Sequence, residues 1–172
     1  IPGTTAVYES LMEAVKNESG IHSFIARRGM RIHLGDGAYA DVLYPDRDVS
    51  MVETNIGSIV LHVVYGKTSF MLTGDLPSTV ENYLVQLDSV DGNLTSNVLK
   101  AGHHGSRTST SDEWLASVHP DTVVISAGKG NSYGHPTKEV LDRIKNEGAD
   151  ILSTIDLGTI DLVSDGEKVV RR

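Results

Sequence analysis

The 172-residue sequence contains no cysteine, and this absence removes several classes of site at once. Disulfide scaffolds, thiolate zinc centres, haem attachment and cysteine nucleophiles are all excluded. Any metal would have to be held by histidine, aspartate or glutamate. Because a chain without cysteine is compatible with oxidising and reducing compartments alike, this feature does not indicate where the protein works.

Several other patterns are missing. No apolar run approaches the roughly 18 residues that a membrane span needs, so we expect no direct membrane insertion by this chain. The Gly-x-Ser-x-Gly elbow of serine hydrolases and the glycine spacings of Rossmann and P-loop folds are absent. The composition, 39% hydrophobic and 22% charged, is ordinary for a globular protein. We therefore predict a single domain over residues 1–172.

Positive charge is scarce as well. The formal net charge is -8 and the sequence pI is about 5.2. Phosphate binding normally relies on a basic face, so this balance counts against a polynucleotide substrate without excluding it. Bound divalent cations would reverse the local potential and could draw a phosphate to an acidic protein.

Hydrophobic periodicity predicts both helices and strands. A helix capped by Thr4 or Thr5 is expected to end near residue 17, and Pro77 and Pro136 are each expected to open a further helix. Because strands and helices alternate after Gly74, the sequence predicts an α/β (α+β layered) fold with a mixed sheet. The predicted strands are 22–26, 31–34, 39–43, 58–65, 68–72, 98–99, 122–125 and 151–154 with a hairpin over 159–170, and the predicted helices are 4–17, 77–87, 111–118 and one beginning at 136.

Three short polar segments containing glycine each follow a predicted strand. They are Thr73-Gly74-Asp75, Gly102-His103-His104-Gly105-Ser106 and Asn131-Ser132-Tyr133-Gly134-His135-Pro136. Ligand sites of layered α/β folds gather at the ends of strands, so we expect these segments to be functional together.

The individual residues leave alternatives open. Asp75 could bridge two cations with its two carboxylate oxygens, or cap the helix ahead of Pro77. Adjacent His103 and His104 could face a metal and a substrate, or form a surface pair. Ser106 could donate a hydrogen bond to a phosphoryl oxygen or simply shape its loop.

The third segment places His135 at a predicted helix N-terminus, where backbone N–H groups favour an anion. A phosphate contact and a histidine fixed by turn geometry are both compatible with this position. The remaining histidines lie within or beside predicted strands or at a helix exit, and we predict structural or solvated roles for them. They are His22, His33, His62 and His119.

Taken together, the three segments and their order resemble those of ComEC/Rec2-like metallo-β-lactamase domains. The resemblance extends from about Gly29 to Thr159. It implies an αββα sandwich, mainly its C-terminal half, and a hydrolytic site with two metal ions, Zn²⁺ or Mn²⁺. It also implies a soluble domain of a bacterial membrane protein.

Matched residue by residue, the resemblance implies that Asp75 and His104 are metal ligands, with Asp75 essential to catalysis. It implies a catalytic or substrate-facing role for His103. His135, Ser106 and Asn131 are the predicted substrate-binding residues. The implied activity is phosphodiester cleavage, on DNA during uptake or on a small phosphodiester.

The sequence departs from the family in one respect: the His-x-His-x-Asp-His motif occurs nowhere in it. Asp75 and His104 alone supply too few donors to hold two metals tightly, so we expect this chain by itself to be inactive, with no metal bound. The opening Ile1-Pro2-Gly3-Thr4 leads us to expect a piece of a longer protein. Its partners would then be the missing half or another copy, and the alternative is a degenerate domain that binds a partner.

Overall fold

The mixed α/β class predicted from the sequence is confirmed by a computed structural model, which describes residues 5–91 and 94–172. Two 3-10 helices, Thr54–Gly57 and Gly102–Gly105, lie in loops between the regular elements. The helices are α1 (Ala6–Asn17), α2 (Ser78–Asp91), α3 (Asp112–Val118), α4 (Lys138–Glu147) and α5 (Thr154–Leu157). The strands are β1 (Arg31–Gly35), β2 (Ala38–Tyr44), β3 (Val60–Tyr65), β4 (Thr68–Leu72), β5 (Val98–Lys100), β6 (Thr122–Ile125), β7 (Asp150–Ser153), β8 (Leu162–Ser164) and β9 (Val169–Arg171).

The first seven strands form one sheet in which each strand pairs with the next in the sequence. Strands β1 to β4 are antiparallel and joined by turns, whereas β4 to β7 are parallel. Parallel neighbours need crossover connections, and α2, α3 and α4 supply them. Strands β8 and β9 pair as a separate antiparallel hairpin. The carboxyl ends of β4, β5 and β6 therefore lie side by side at one edge of the sheet.

One face of the sheet is covered by α2, α3 and α4. Met71, Leu99 and Val123 pair across β4, β5 and β6 and are fully buried on this face. They share one hydrophobic core with side chains from the three helices. The helical members of that core are Val80 and Leu84 from α2, Trp114, Leu115 and Val118 from α3, and Val140 and Ile144 from α4.

The opposite face, which we call the second face, is also apolar but is less well covered. Its side chains alternate with the core residues, since consecutive strand residues point to opposite sides. Leu72 is 40% exposed and Ile32 is 45% exposed. Other apolar residues of this face, namely Leu61, Val63, Phe70, Val124 and Leu152, are only half-buried.

Two local predictions are wrong. Residues 22–26 form no strand, and Phe24 and Ile25 are 78% and 76% exposed there. β-Propensity could not make a strand because none of the strands in the described part of the chain pairs with this segment. The last large helix begins at Lys138 with Thr137 at its N-cap, two residues after Pro136.

The N-terminal helix agrees with its predicted cap. The Thr5 hydroxyl accepts a hydrogen bond from the Tyr8 backbone N–H at 3.2 Å. The alternative cap, Thr4, lies outside the described residues. Although α1 is amphipathic, none of its residues is buried, and Val7 is 81% exposed. Across residues 5–91 and 94–172, no helix combines the length and apolar character needed to cross a membrane.

Candidate metal and phosphodiester site

The three polar segments converge at the carboxyl edge of the parallel strands. Asp75 follows β4, the histidine pair follows β5, and the loop that ends at His135 follows β6. Rings of the second and third segments touch directly, because the centroids of His103 and His135 are 5.6 Å apart. The topology thus brings together residues that are 60 positions apart in the sequence.

His104 and Asp75 face each other in this arrangement. Nδ1 of His104 lies 2.6 Å from the Ser126 carbonyl oxygen. Because a carbonyl can only accept, Nδ1 carries the proton, and Nε2 of the neutral ring presents a lone pair. Nε2 lies 3.5 Å from Oδ1 of Asp75. An imidazole nitrogen and a carboxylate oxygen that face each other over this distance are suited to hold a cation together.

The helix-cap alternative for Asp75 does not fit the start of α2. The Pro77 carbonyl accepts backbone hydrogen bonds from Val80 and Glu81, at 2.9 and 3.1 Å, so Pro77 occupies the N-cap position. Asp75 lies two residues earlier, and its own backbone N–H donates to Ser58 Oγ at 3.1 Å. The Asp75 carboxylate is therefore directed to His104 rather than to the helix terminus.

The histidine pair is held in an unusual backbone conformation. His103 and His104 both have positive backbone φ angles, 46° and 58°, which residues other than glycine rarely adopt. Such strain costs of order 1 kcal/mol or more per residue and persists where the surroundings enforce it. Here His103 N–H donates to the Gly74 carbonyl at 3.2 Å, which ties the pair to the segment bearing Asp75.

A close approach on the other side of the pair needs glycine. A Cβ at Gly105 would lie 2.7 Å from Cβ of Pro136, and Gly105 has a φ of +83°. The Gly105 carbonyl also accepts from Thr137 N–H at 3.0 Å. The histidine loop is thereby packed against the start of the segment leading to α4.

Sequence reasoning missed two residues that shape this edge. Lys100, the last residue of β5, donates from Nζ to the Gly74 carbonyl at 2.8 Å. Burial lowers the pKa of Lys100, and the nearby negative charge of Asp75 opposes that shift. Because Lys100 directly precedes the Ala101-Gly102-His103 segment, its position at a strand end was the available signal.

Glu81 is the second missed residue. It is fully buried on α2 and accepts backbone hydrogen bonds from Thr110, at 2.6 Å, and Ser111, at 2.9 Å. Burial raises the pKa of Glu81, and the two N–H donors act in the opposite direction. Glu81 fixes the end of the loop that begins with the histidine pair. A glutamate in the first turn of a helix is usually exposed to solvent, so the sequence carried no clear signal of this role.

His135 and Asn131 form a clamp within the third segment. Asn131 Oδ1 accepts from His135 N–H at 3.0 Å, and Asn131 Nδ2 donates to the carbonyls of His135 and Gly128 at 2.6 and 2.9 Å. Burial, followed by the nearby His103 and His104, lowers the pKa of His135 and favours its neutral form. Both polar atoms of the Asn131 side chain are already hydrogen-bonded within the loop. A substrate contact by Asn131 therefore stays a prediction.

Ser106 is 6% exposed and lies beneath the histidine loop. Its hydroxyl pairs with the Thr108 hydroxyl at 3.0 Å, and its N–H donates to the His103 carbonyl at 2.9 Å. Of the two roles left open for this serine, the contacts agree with shaping the loop. Donation to a phosphoryl oxygen stays a prediction.

A cleft of about 240 Å³ opens beside His104. His104, Asn131, Tyr133 and His135 line it together with residues 126–128. Other clefts are larger. Two of them, of about 500 and 550 Å³, lie at the amino ends of β5 and β6, where Asp121 lines both and His119 lines the first. Size alone does not identify the site, because the converging polar segments lie at the opposite edge of the sheet.

The donors present fit part of a metal centre. Two ligand atoms that share a single tetrahedral Zn²⁺ ion, each about 2.1 Å from it, would be roughly 3.4 Å apart. The separation of His104 Nε2 and Asp75 Oδ1, 3.5 Å, is close to this distance. The Ser126 carbonyl orients the imidazole as an outer partner of a metal ligand does. Over the described ranges 5–91 and 94–172, however, no group of three or more histidine, aspartate or glutamate side chains is arranged to hold a metal.

The amino-acid sequence of the chain is similar to those of three bacterial proteins of the ComEC type. It is 35% identical to ComE operon protein 3 of Bacillus subtilis over 152 residues, which cover 88% of this chain and 19% of that protein. It is 40% identical to competence protein ComA of Neisseria gonorrhoeae over 119 residues, 69% of this chain and 17% of that protein. Recombination protein 2 of Haemophilus influenzae is 37% identical over 109 residues, 63% of this chain and 13% of that protein.

These similarities support a ComEC-like relationship for the chain. The chain spans only a fifth or less of the length of the curated relatives it matches. No protein-family profile matches it.

Proposed function

We propose that this chain contributes Asp75, His103, His104 and His135 to a metal-dependent phosphodiesterase site of the ComEC/Rec2 type, which acts on DNA during uptake. The observation that carries the proposal is the orientation of His104. Its protonated Nδ1 is held by the Ser126 carbonyl at 2.6 Å, and its Nε2 faces Asp75 Oδ1 at 3.5 Å. The competence relatives supply the link to DNA uptake.

Asp75 and His104 would hold Zn²⁺ or Mn²⁺. When bound, the cations would supply an activated water and a counter-charge for phosphate. The His103 ring contacts those of both His104 and His135, with ring centroids 6.3 and 5.6 Å away. From this position its imidazole can contact a phosphate oxygen or move a proton to the leaving oxygen. His135, whose lowered pKa favours the neutral ring, can serve as a hydrogen-bonding partner at the rim.

The proposed fold is the metallo-β-lactamase αββα sandwich. In that arrangement a further sheet would cover the second face, on which Leu72 is 40% exposed, and would bring additional metal ligands. Two observations support this. The second face is apolar, and the described residues provide two facing donors where a two-metal site needs more. A segment carrying His-x-His-x-Asp-His is the proposed source of the other ligands.

The test compares two forms of the protein: the 172-residue chain, and the same chain extended at its N-terminus by a segment that carries His-x-His-x-Asp-His. Zn²⁺ and Mn²⁺ binding is measured by calorimetry, and hydrolysis with bis-p-nitrophenyl phosphate. We expect stoichiometric metal binding and cleavage in the extended form only. Absence of metal from both forms would sink the proposal.

Within the extended form, Asp75→Asn should lower the hydrolysis rate at least 100-fold, because the neutral amide cannot stabilise two cations as a carboxylate does (about 100-fold is a typical cost of removing one essential catalytic group). Asp36→Asn in the β1–β2 turn is the matched control. Asp36 has a φ of 50°, a conformation that asparagine tolerates well. Hydrolysis that survives Asp75→Asn would exclude Asp75 from the centre.

The exposed apolar second face favours one other function, a partner-binding domain without catalysis. Exposed patches of this kind mark interaction surfaces when they are contiguous. The occupant would be a further segment that supplies the second sheet, or another copy of the chain. The same experiment separates the two functions, because a partner-binding domain would bind no metal in the extended form.

A further inference from the structure

Tyr133 is an exposed aromatic residue at the mouth of the cleft beside His104. Its side chain is 81% exposed, although most large apolar groups of the neighbouring core are fully buried. One face of its ring stacks on His135, with centroids 5.8 Å apart and planes inclined by 25°. Because the residue is so exposed, the other face is open to a planar ligand.

The loop presents this ring in a fixed position. Asn131 is hydrogen-bonded to both the N–H and the carbonyl of His135, at 3.0 and 2.6 Å, and to the Gly128 carbonyl at 2.9 Å. The backbone N–H of Gly134 also donates to the Asn131 carbonyl, at 3.5 Å. These bonds flank Tyr133 on both sides. An aromatic ring held in place loses little conformational freedom when a ligand stacks on it.

Tyr133 is connected to the candidate metal ligands by a row of rings. The order is Tyr133, His135, His103 and His104, with successive centroid distances of 5.8, 5.6 and 6.3 Å. His104 lines the same cleft as Tyr133, and its Nε2 faces Asp75. An extended polymer that contains phosphates and lies across these rings could therefore place one planar group on Tyr133 and a phosphate near the histidines.

We propose that Tyr133 is a stacking platform for a nucleobase and that the substrate is bound there as single-stranded nucleic acid. This proposal rests on the phosphodiesterase function proposed above and specifies its substrate. A base in a duplex already stacks on its neighbours, whereas a base in a single strand is free to stack on an exposed aromatic side chain. Small phosphodiesters without a planar group would gain nothing from Tyr133.

The charge of the protein agrees with a binding mode that does not depend on a basic surface. With a formal net charge of -8, general attraction to the phosphate backbone is weak. Base stacking is insensitive to this charge and tolerates any sequence, because every base has a π-face. Attachment by one stacked base together with a phosphate near the histidines would favour DNA that is already single-stranded.

The experiment measures binding of single-stranded oligodeoxynucleotides to the 172-residue chain in EDTA at low salt. The first probe carries the fluorescent base 2-aminopurine, whose emission falls when it stacks. The second has the same sugar-phosphate backbone but abasic positions, and its binding is followed by anisotropy of a terminal dye. The variants are Tyr133→Ala and Tyr133→Phe. Phe24→Ala is the matched control, since Phe24 is 78% exposed and does not line the cleft.

We expect Tyr133→Ala to weaken binding of the base-containing probe about tenfold, as loss of one stacked base does. Tyr133→Phe and Phe24→Ala should bind like the wild type, and the abasic probe should not distinguish Tyr133→Ala from it. Circular dichroism checks that the variants fold. Unchanged affinity and quenching in Tyr133→Ala would overturn the platform, as would a wild-type chain that binds both probes equally.

A His103→Ala variant separates this proposal from the function on which it rests. If Tyr133→Ala weakens binding but the extended protein hydrolyses no phosphodiester, the platform stands and the phosphodiesterase function fails. If hydrolysis is present and depends on His103 while Tyr133→Ala binds the base-containing probe normally, the platform fails and the phosphodiesterase function stands.

Discussion

The two faces of the seven-stranded sheet differ although both are apolar. Met71 and Leu72 are consecutive in β4, yet Met71 is fully buried under the helices and Leu72 is 40% exposed on the second face. Leu99 of β5 and Val123 of β6 are likewise fully buried on the helix-covered face, although Val98, on the second face of β5, is also buried. The main hydrophobic core of the described fold therefore lies on one face, and the second face has apolar surface left for another layer.

The candidate site depends on the covered face. Its loops follow β4, β5 and β6, and Glu81 on α2 holds the end of the histidine loop through two backbone N–H groups. A correctly shaped site can thus form before the second face is covered. The further ligands of the proposed metal centre would come with the layer that covers that face.

The largest predicted difference between the faces is in stability. Leu99→Ala should lower the free energy of unfolding by about 3 kcal/mol, because it removes a buried side chain and leaves a cavity under the helices. Leu72→Ala should cost roughly 1 kcal/mol or less, since Leu72 already contacts solvent. Urea denaturation followed by circular dichroism measures both. An equal cost for the two substitutions would mean that the second face is covered in solution, for example by another copy of the chain.

A smaller effect is expected at Glu81, which links the covered face to the site. Glu81→Ala leaves the buried N–H groups of Thr110 and Ser111 without their acceptor and should lower the free energy of unfolding by about 2 kcal/mol. Glu139→Ala, on exposed α4 surface, is the matched control and should change it by less than about 0.5 kcal/mol. Faster hydrogen exchange at Thr110 and Ser111 would identify the cause. Wild-type stability in Glu81→Ala would contradict the role of Glu81 as an anchor.

The covered face was predictable from sequence because its strands and helices carry the pattern that burial imposes. Val140 and Ile144 recur at helical spacing, and the hairpin of β3 and β4 surrounds a two-residue Gly66-Lys67 turn. The secondary-structure predictions failed where strand pairing or packing, rather than local sequence, determines the structure. Residues 22–26 have strand-like composition but no neighbouring strand, so propensity alone misled.

The site was predictable to the level of which segments meet, since strand ends of parallel neighbours share one edge. The sequence could not show that Asn131 and Ser106 use their polar groups inside the loops. It also could not show that Glu81 is buried, because its burial depends on backbone N–H groups of Thr110 and Ser111, which are distant in the sequence. The orientation of His104 depends on the Ser126 carbonyl, a backbone atom that carries no side-chain signature.

The smallest predicted effect concerns a polar group on the covered face. His62 pairs with Met71 across β3 and β4, and its Nε2 is buried without a hydrogen-bond partner within the described part of the chain. Burial lowers the pKa of His62, while Asp41 and a hydrogen bond to the Thr95 backbone oppose that shift. Protonation is thus easier in the unfolded chain, so the stability contributed by the neutral ring is present above pH 6.5 and is lost as pH falls below it.

His62→Phe should remove this dependence. The wild-type chain should lose more unfolding free energy than the variant between about pH 7.5 and pH 5.5, a window that brackets the ordinary histidine pKa. Denaturant titrations at the two pH values provide the comparison, with His33→Phe on exposed β1 as the control exchange. A variant that loses as much stability as the wild type would show that His62 stays accessible to protons in the folded state. The covered face would then be less well sealed at β3 than at β4 and β5, where Met71 and Leu99 are fully buried.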